Sequence, residues 1–363
     1  MSEVAISEAK SKDCHSHITN DTVRVGIVGL GRSGWAIHAL TLAGMPEQFA
    51  VVAVTDQSEE RRQEAVAKFG CRAHENLESL LADNEVDLVV LATPSRFHYE
   101  QALQAFSANK NVICEKPLSS TSDEATQMMK AAKAAGKVLT GFQQNRYMPS
   151  FVKLREVIAS GKLGRIVQIR ICIHGFGRRW DWQTLKEFSG GELNNSGAHF
   201  IDQGLQFFGS TEPEIFCHLD RTLTSGDAED HVKVVLRAEG APVVDVEITK
   251  SCAFPQNMWH VMGTEGGLTG TQKELTWKYV DFSKLPARPV DRQPTPDRSY
   301  NSEQYDWTEE KWTLPPDQPV QYIPFYQDLY KTLKKGTPLV VTPESIQRQI
   351  AVLEKCRKLC PWI

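Results

Sequence analysis

From Val23 onward, apolar positions fall into short uninterrupted runs separated by amphipathic stretches. The runs are 23–28 (VRVGIV), 49–55 (FAVVAVT), 86–92 (VDLVVLA), 111–114 (NVIC) and 138–142 (VLTGF). Apolar residues at consecutive positions suit strands buried on both faces. Between them, 33–43, 58–69, 97–107 and 122–135 carry helical spacing. This alternation predicts βαβ units with right-handed crossovers, hence a doubly wound parallel sheet over residues 22–147.

The texture changes after Pro149. A helix over 151–160 comes first, then alternating segments at 166–174, 231–239 and 242–249. Alternation places one strand face inward and leaves the other open. Residues 148–363 are therefore expected to form an α+β domain with a large, mostly antiparallel open sheet. A helix beginning near Gly197 interrupts it, and 284–321, rich in Pro, Asp and Gln, reads as an extended arm crossing a neighbouring surface. Helices over 324–335 and 342–359 close the chain and are free to pack back on the first domain. Residues 1–21 are polar, mixed in charge and lack an apolar signal core, so they read as a disordered or extended tail.

Composition narrows the function classes. A net charge of −4 gives no global electrostatic reason to expect nucleic acid or an acidic membrane as partner. No stretch approaches the ~18 apolar residues of a membrane span. The eight cysteines (14, 71, 114, 172, 217, 252, 356 and 360) form neither a CxxC pair nor a zinc spacing, so they read as free thiols of a cytoplasmic protein, with no metal site. Cys356 and Cys360 fall on one packed face of a helix.

The first run leads into Gly29-Leu30-Gly31-Arg32-Ser33-Gly34, a G-x-G-x-x-G between strand and helix. The first Gly permits the tight turn, the second lets backbone approach a pyrophosphate, and the third lets helix and strand pack closely. Arg32 and Ser33 lie where helix-start N–H groups receive phosphate. Asp56 ends the second run 22 residues after Gly34, at the spacing of a carboxylate that binds a ribose 2′-hydroxyl. Its charge favours NAD; Arg61 and Arg62 leave NADP possible. Asp56 is also placed to cap the next helix. Ligands of such sheets bind beyond strand carboxyl ends, so Thr93-Pro94 and His98 should line the cofactor, although His98 suits capping or packing as well.

The next strand ends in Cys114-Glu115-Lys116-Pro117. Here the chain resembles the glucose–fructose oxidoreductase / inositol dehydrogenase / MocA family, over roughly residues 22–358. The Asn-Val-x-Cys-Glu-Lys-Pro-Leu stretch carries the likeness, together with Thr93-Pro94 and His98, Gly141-Phe142 with Asn145-Arg146, Gly164-Arg165-Ile166, Phe325-Tyr326 and Gly336-Thr337-Pro338-Leu339. The resemblance implies an N-terminal NAD(P)-binding Rossmann domain, Glu115, Lys116 and Asn145 near the cofactor, and a homodimer or homotetramer. Physically, a lysine at a strand end beside the cofactor turn can bind a substrate oxygen and stabilise charge developing on it.

The family has an Asp-x-x-x-His pattern where this chain has Asn195 and His199. His199 matches the histidine, whose implied role is acid/base on the substrate hydroxyl. Asn195 departs from the family's Asp: it can orient a hydroxyl but holds no charge. Asp202 is a possible substitute carboxylate, and capping is an alternative role for Asn195. Trp180 and Trp182, with Arg146 and Tyr147, suit stacking on a sugar ring and hydrogen bonding to it; the tryptophans equally suit core or interface anchors.

The expectation is an NAD(P)-dependent oxidoreductase acting on a secondary CH–OH of a sugar, cyclitol or glycoside, with Lys116 and His199 assisting proton transfer. One alternative keeps NAD tightly bound through transient 3-keto oxidation of a glycoside and elimination. Another is a non-catalytic nucleotide-dependent regulator, which Asn195 favours and Lys116 and His199 oppose.

Overall fold

The structure is a computed structural model that describes residues 18–295 and 298–363; most of the expected N-terminal tail, and Cys14, lie outside the described residues. The chain divides into two compact units. The first comprises residues up to Gln144, Lys186–Gly190 and Tyr322–Glu354; the second comprises Asn145–Leu185, Gly191–Gln321 and Lys355–Ile363.

The first unit is built on six parallel strands: β1 (Val23–Val28), β2 (Phe49–Thr55), β3 (Arg72–His74), β4 (Leu88–Leu91), β5 (Asn111–Cys114) and β6 (Leu139–Gly141). Their order is β3-β2-β1-β4-β5-β6, so the direction of winding reverses between β1 and β4. That switch point opens a crevice beyond the strand carboxyl ends, where ligands of such sheets bind. The connecting helices are α1 (Leu40–Ala43), α2 (Glu59–Phe69), α3 (Leu77–Leu81), α4 (His98–Ser107) and α5 (Ser122–Ala134). Their ends follow local chemistry. Ser58 caps α2 by accepting from the Arg61 N–H, and Gly70, at φ +66°, ends it. Thr121 and Glu124 form a reciprocal capping box on α5. β3, with 3 residues, and α3, with 5, are too short for a period to stand out in the sequence.

In the second unit, α6 (Pro149–Ala159) precedes β7 (Ile166–His174), and α7 (Ala198–Leu205) precedes β8 (Glu214–Asp220), β9 (His231–Arg237), β10 (Val243–Thr249), β11 (Trp259–Gly263), β12 (Gly266–Gly270), β13 (Glu274–Tyr279) and β14 (Thr308–Thr313). The order is β14-β13-β12-β11-β7-β10-β9-β8, and only β7 and β10 pair in parallel. One face is apolar: Phe151 of α6 stacks on Trp259 at 5.8 Å, and Gly204 brings α7 close to Val244. The other carries a charge ladder in which Lys233 reaches Asp245 at 2.7 Å and Glu247 at 2.9 Å. The arm expected over 284–321 needs correction, because part of it is β14, hydrogen-bonded to β13 as the sheet edge.

The last two helices are α8 (Tyr322–Lys335) and α9 (Pro343–Leu359). Tyr326 and Tyr330 of α8 pack edge-on against Phe49 of β2. Cys356 and Cys360 are both buried free thiols. Among the described residues, no helix is long and apolar enough to cross a membrane, and no His/Cys/Asp/Glu group could hold a metal ion.

Candidate active site

The glycine turn follows from what surrounds it. Gly29 sits at φ +91°, and a β-carbon there would meet the Ala92 carbonyl at 2.8 Å. At Gly34 an added β-carbon would lie 1.8 Å from the Gly29 carbonyl oxygen, so only glycine allows this approach. Gly31 faces open space, with nothing within 4 Å of a β-carbon position. Backbone with room beside it at a helix start is what a pyrophosphate requires. The helix opens with a wide π-type turn over Ser33–Ala39, where Arg32 is exposed.

Asp56 closes the other side of the turn. Its carboxylate accepts from the Leu30 N–H at 2.6 Å and the Ser58 N–H at 2.9 Å, and Arg61 stands 3.8 Å away. It does not cap α2, since Ser58 does. An open hollow lined by Asp56, Gln57, Ser58, Glu60, Arg61 and Glu64 adjoins it. The residues thus fit an adenosine ribose bound by its hydroxyls.

β4 and β5 deliver the next two segments to the same sheet edge. The Thr93 hydroxyl donates to Gln101 at 2.6 Å. His98 is fully buried, its ring nitrogens 2.8 Å from the Pro117 carbonyl and 2.9 Å from the Thr93 carbonyl. It thus ties the Thr93 turn to the Lys116-Pro117 turn rather than facing a ligand. Burial holds its pKa below the usual histidine value. Lys116 is half-buried; Glu115 is buried, and its Oε2 accepts from the Lys116 N–H at 3.0 Å.

In the second unit, Asn195 and His199 lie on a helix whose first turn, Leu193–Gly197, is π-wound before α7 begins. The Asn195 N–H donates to the Gly191 carbonyl at 2.9 Å, inside the helical turn, so the capping role expected as an alternative is overturned. Asn195 is half-buried and His199 is 8% exposed. Asp202 is committed elsewhere: its two oxygens accept from Arg146 Nε at 2.7 Å and Nη2 at 2.6 Å, both residues being buried. Burial opposes the guanidinium charge of Arg146, and facing Asp202 outweighs it, raising its pKa. Together they fix the helix carrying His199 to the segment around Arg146. Asn145 accepts from Gln203 through its carbonyl at 2.6 Å and from Gln321 through its side chain at 3.3 Å. Tyr147 is half-buried. Trp180 is 81% and Trp182 50% exposed, which removes the alternative of core anchors.

The family model described as an oxidoreductase family with an NAD-binding Rossmann fold matches residues 23–142, and that for the GFO/IDH/MocA C-terminal domain matches 151–269. Inositol 2-dehydrogenase 2 of Saccharopolyspora erythraea is 30% identical over 295 residues, covering 79% of this chain and 84% of that protein. The chain belongs to the GFO/IDH/MocA family. An oxidoreductase of Schizosaccharomyces pombe with no stated substrate is 29% identical over 314 residues, covering 83% and 82% of the two chains. The solved structure of an NAD-binding protein from Listeria innocua superposes with a TM-score of 0.77 at 24% identity, over 94% and 95% of the two chains, which speaks to fold.

As a GFO/IDH/MocA member, the protein is an NAD(P)-binding oxidoreductase. Three supports of its site escaped the sequence reading. Glu229 accepts from the Leu193 N–H at 2.9 Å, and its carboxyl group occupies the space where a β-carbon on Gly191 would sit. Burial pushes the Glu229 carboxyl up. The others are His38, bonded to Glu115, and Tyr326, bonded in turn to His38; both are buried. Gly191 was the one available signal for Glu229; Glu115 and its partner His38 lie 77 residues apart, and His38 and Tyr326 lie 288 apart, beyond any local pattern.

Proposed function

We propose that the protein oxidises a secondary CH–OH of a sugar-like or cyclitol substrate, or reduces the corresponding ketone. The bound nicotinamide would supply the hydride acceptor or donor. The backbone at Gly29, Gly31 and Gly34, with Arg32 and Ser33 at the helix start, would hold the pyrophosphate, and Asp56 the ribose hydroxyls. Thr93 and Pro94 would flank the nicotinamide half.

Lys116 Nζ binds the substrate oxygen in this reading. As hydride leaves the carbon, negative charge grows on that oxygen, and an ammonium already in place stabilises it without solvent rearrangement. His199 takes the hydroxyl proton, for which an imidazole is suited near neutral pH. Asn195 orients the hydroxyl by hydrogen bonding and adds no charge. Tyr147, Trp180 and Trp182 offer faces for a ring, and Arg146 with Asp202 acts by position. The dehydrogenase named for inositol is a relative consistent with a cyclitol.

The carrying observation is that β4 and β5 bring the Thr93 turn and Lys116 to the edge at which the glycine turn lies. The test is a panel of myo-inositol, free hexoses and methyl glucosides with NAD or NADP, followed by absorbance of the reduced cofactor. Turnover on a polyol that falls at least about 10²-fold in Lys116→Ala and in His199→Ala supports the reading. Near-normal turnover in either variant removes that residue from the mechanism.

A further inference from the structure

Tyr326, His38 and Glu115 form an unbroken line of hydrogen bonds that ends on the main chain of Lys116. The Tyr326 hydroxyl lies 2.7 Å from His38 Nδ1, His38 Nε2 lies 3.1 Å from Glu115 Oε1, and Glu115 Oε2 takes the Lys116 N–H at 3.0 Å. His38 and Tyr326 have no solvent exposure and Glu115 has 7%. The His38 ring is further fixed against Phe142, at 4.4 Å between ring centres. The three side chains come from the helix after the glycine turn, the end of β5, and α8.

The partners dictate where the protons lie. Burial alone would push the Glu115 carboxyl up, but the hydrogen bond of His38, with the charge and N–H of Lys116, holds it at about 2. A carboxylate can only accept, so in the contact between the two groups His38 Nε2 is the donor. Burial pushes the Tyr326 phenol well up, so it keeps its own. Other titratable groups that feel Glu115 add no opposing charge: burial lowers His98 and raises Cys114 and Tyr322. A buried carboxylate is costly unless paired and hydrogen-bonded. Here both of its oxygens are engaged, and the attraction between Glu115 and the Lys116 ammonium is mutual.

We propose that His38 and Tyr326 are positioning residues for Lys116, clamping the Glu115 carboxylate on the Lys116 amide so that the Lys116 ammonium sits in the field of a fixed negative charge. This rests on the reading of Lys116 as the group that stabilises the substrate oxygen.

The test uses the full chain and needs no substrate. Lysine amines are acetylated with acetic anhydride from about pH 7 to about pH 10, a range that brackets their titration. Labelling of Lys116 is read by mass spectrometry against the exposed Lys68 as internal reference. Only the neutral amine reacts, so losing a nearby anion raises the rate. Glu115→Gln and His38→Leu are expected to speed labelling of Lys116 at pH ~9 by at least about threefold, and Tyr326→Phe to do so less. His38→Gln, whose amide can still donate to Glu115, should restore a rate close to wild type. NADH fluorescence on binding checks that each variant is folded. If His38→Leu misfolds, Tyr326→Phe and Glu115→Gln decide: both at the wild-type rate overturns the proposal. So does a His38→Gln protein as fast as His38→Leu. A Lys116→Ala enzyme with normal turnover would instead sink the catalytic reading while leaving the labelling result intact.

Discussion

Leu88, Val89, Val90 and Leu91 of β4 are all without solvent exposure, whereas along β9 only every second residue, Val232, Val234 and Leu236, is buried. The first sheet is covered on both sides and has no face to spare for polar groups. Its chemistry is therefore driven to the strand ends, where Asp56, Thr93 and Glu115-Lys116 emerge. The second sheet keeps an apolar face against α6 and α7 and gives the other to paired charges, so its strands are free of that demand. Polar groups in the two units are also held differently. Glu115 depends on two separate donors, the His38 ring and the Lys116 main chain, and Asp202 on a single two-pronged arginine.

Removing one partner of the buried pair should have the largest effect on stability. Asp202→Ala would strand the Arg146 guanidinium and is expected to cost about 3–5 kcal/mol in chemical denaturation. A loss below about 1 kcal/mol would mean that water reaches the site. Next, the sheets should differ in their tolerance of truncation. Leu88→Ala, on a strand covered from both sides, is expected to cost about 2–5 kcal/mol. Val167→Ala, at a position 42% exposed on β7, should stay within about 0.5 kcal/mol. Similar losses at both positions would erase the contrast between the sheets.

A smaller effect concerns acid stability. The Glu115 pKa is depressed from 4.5 to about 2 in the folded protein. Its contribution is therefore fully present above pH 4.5 and is lost as pH falls through that window. Glu115→Gln should lower stability at neutral pH and flatten the acid limb of a stability–pH curve. An unchanged limb would show that the carboxylate gains nothing from its line of donors. Smallest in free energy is the choice of cofactor. Asp56→Ser removes the charge that opposes a 2′-phosphate and should shift preference toward NADP by about tenfold, or ~1.4 kcal/mol. Comparing NAD and NADP dissociation constants measures it.

The parallel sheet was legible because its strands are continuous apolar runs: VVLA and NVIC can only be buried on both faces. The glycine turn and Asp56 were legible because their spacing is set by local geometry. The arm over 284–321 was misread at β14, where Thr308–Thr313 is an exposed edge strand with polar residues on both faces, and so shows no alternation. Asp202 and Arg146 looked like ligand-binding groups because each carries the right chemistry. Only the fold shows that they satisfy one another across 56 residues. His98 was misleading for a similar reason: a histidine at a strand-end turn can equally serve to tie two main-chain carbonyls together.

The most direct measurement is the rate of hydride transfer between NAD and a polyol or its ketone in the wild-type protein and in Lys116→Ala, with NAD affinity measured alongside. The account predicts a fall of at least about 10²-fold in kcat with NAD affinity nearly unchanged. Equal rates in the two proteins, or no reduced cofactor formed from any polyol in the panel, would contradict it.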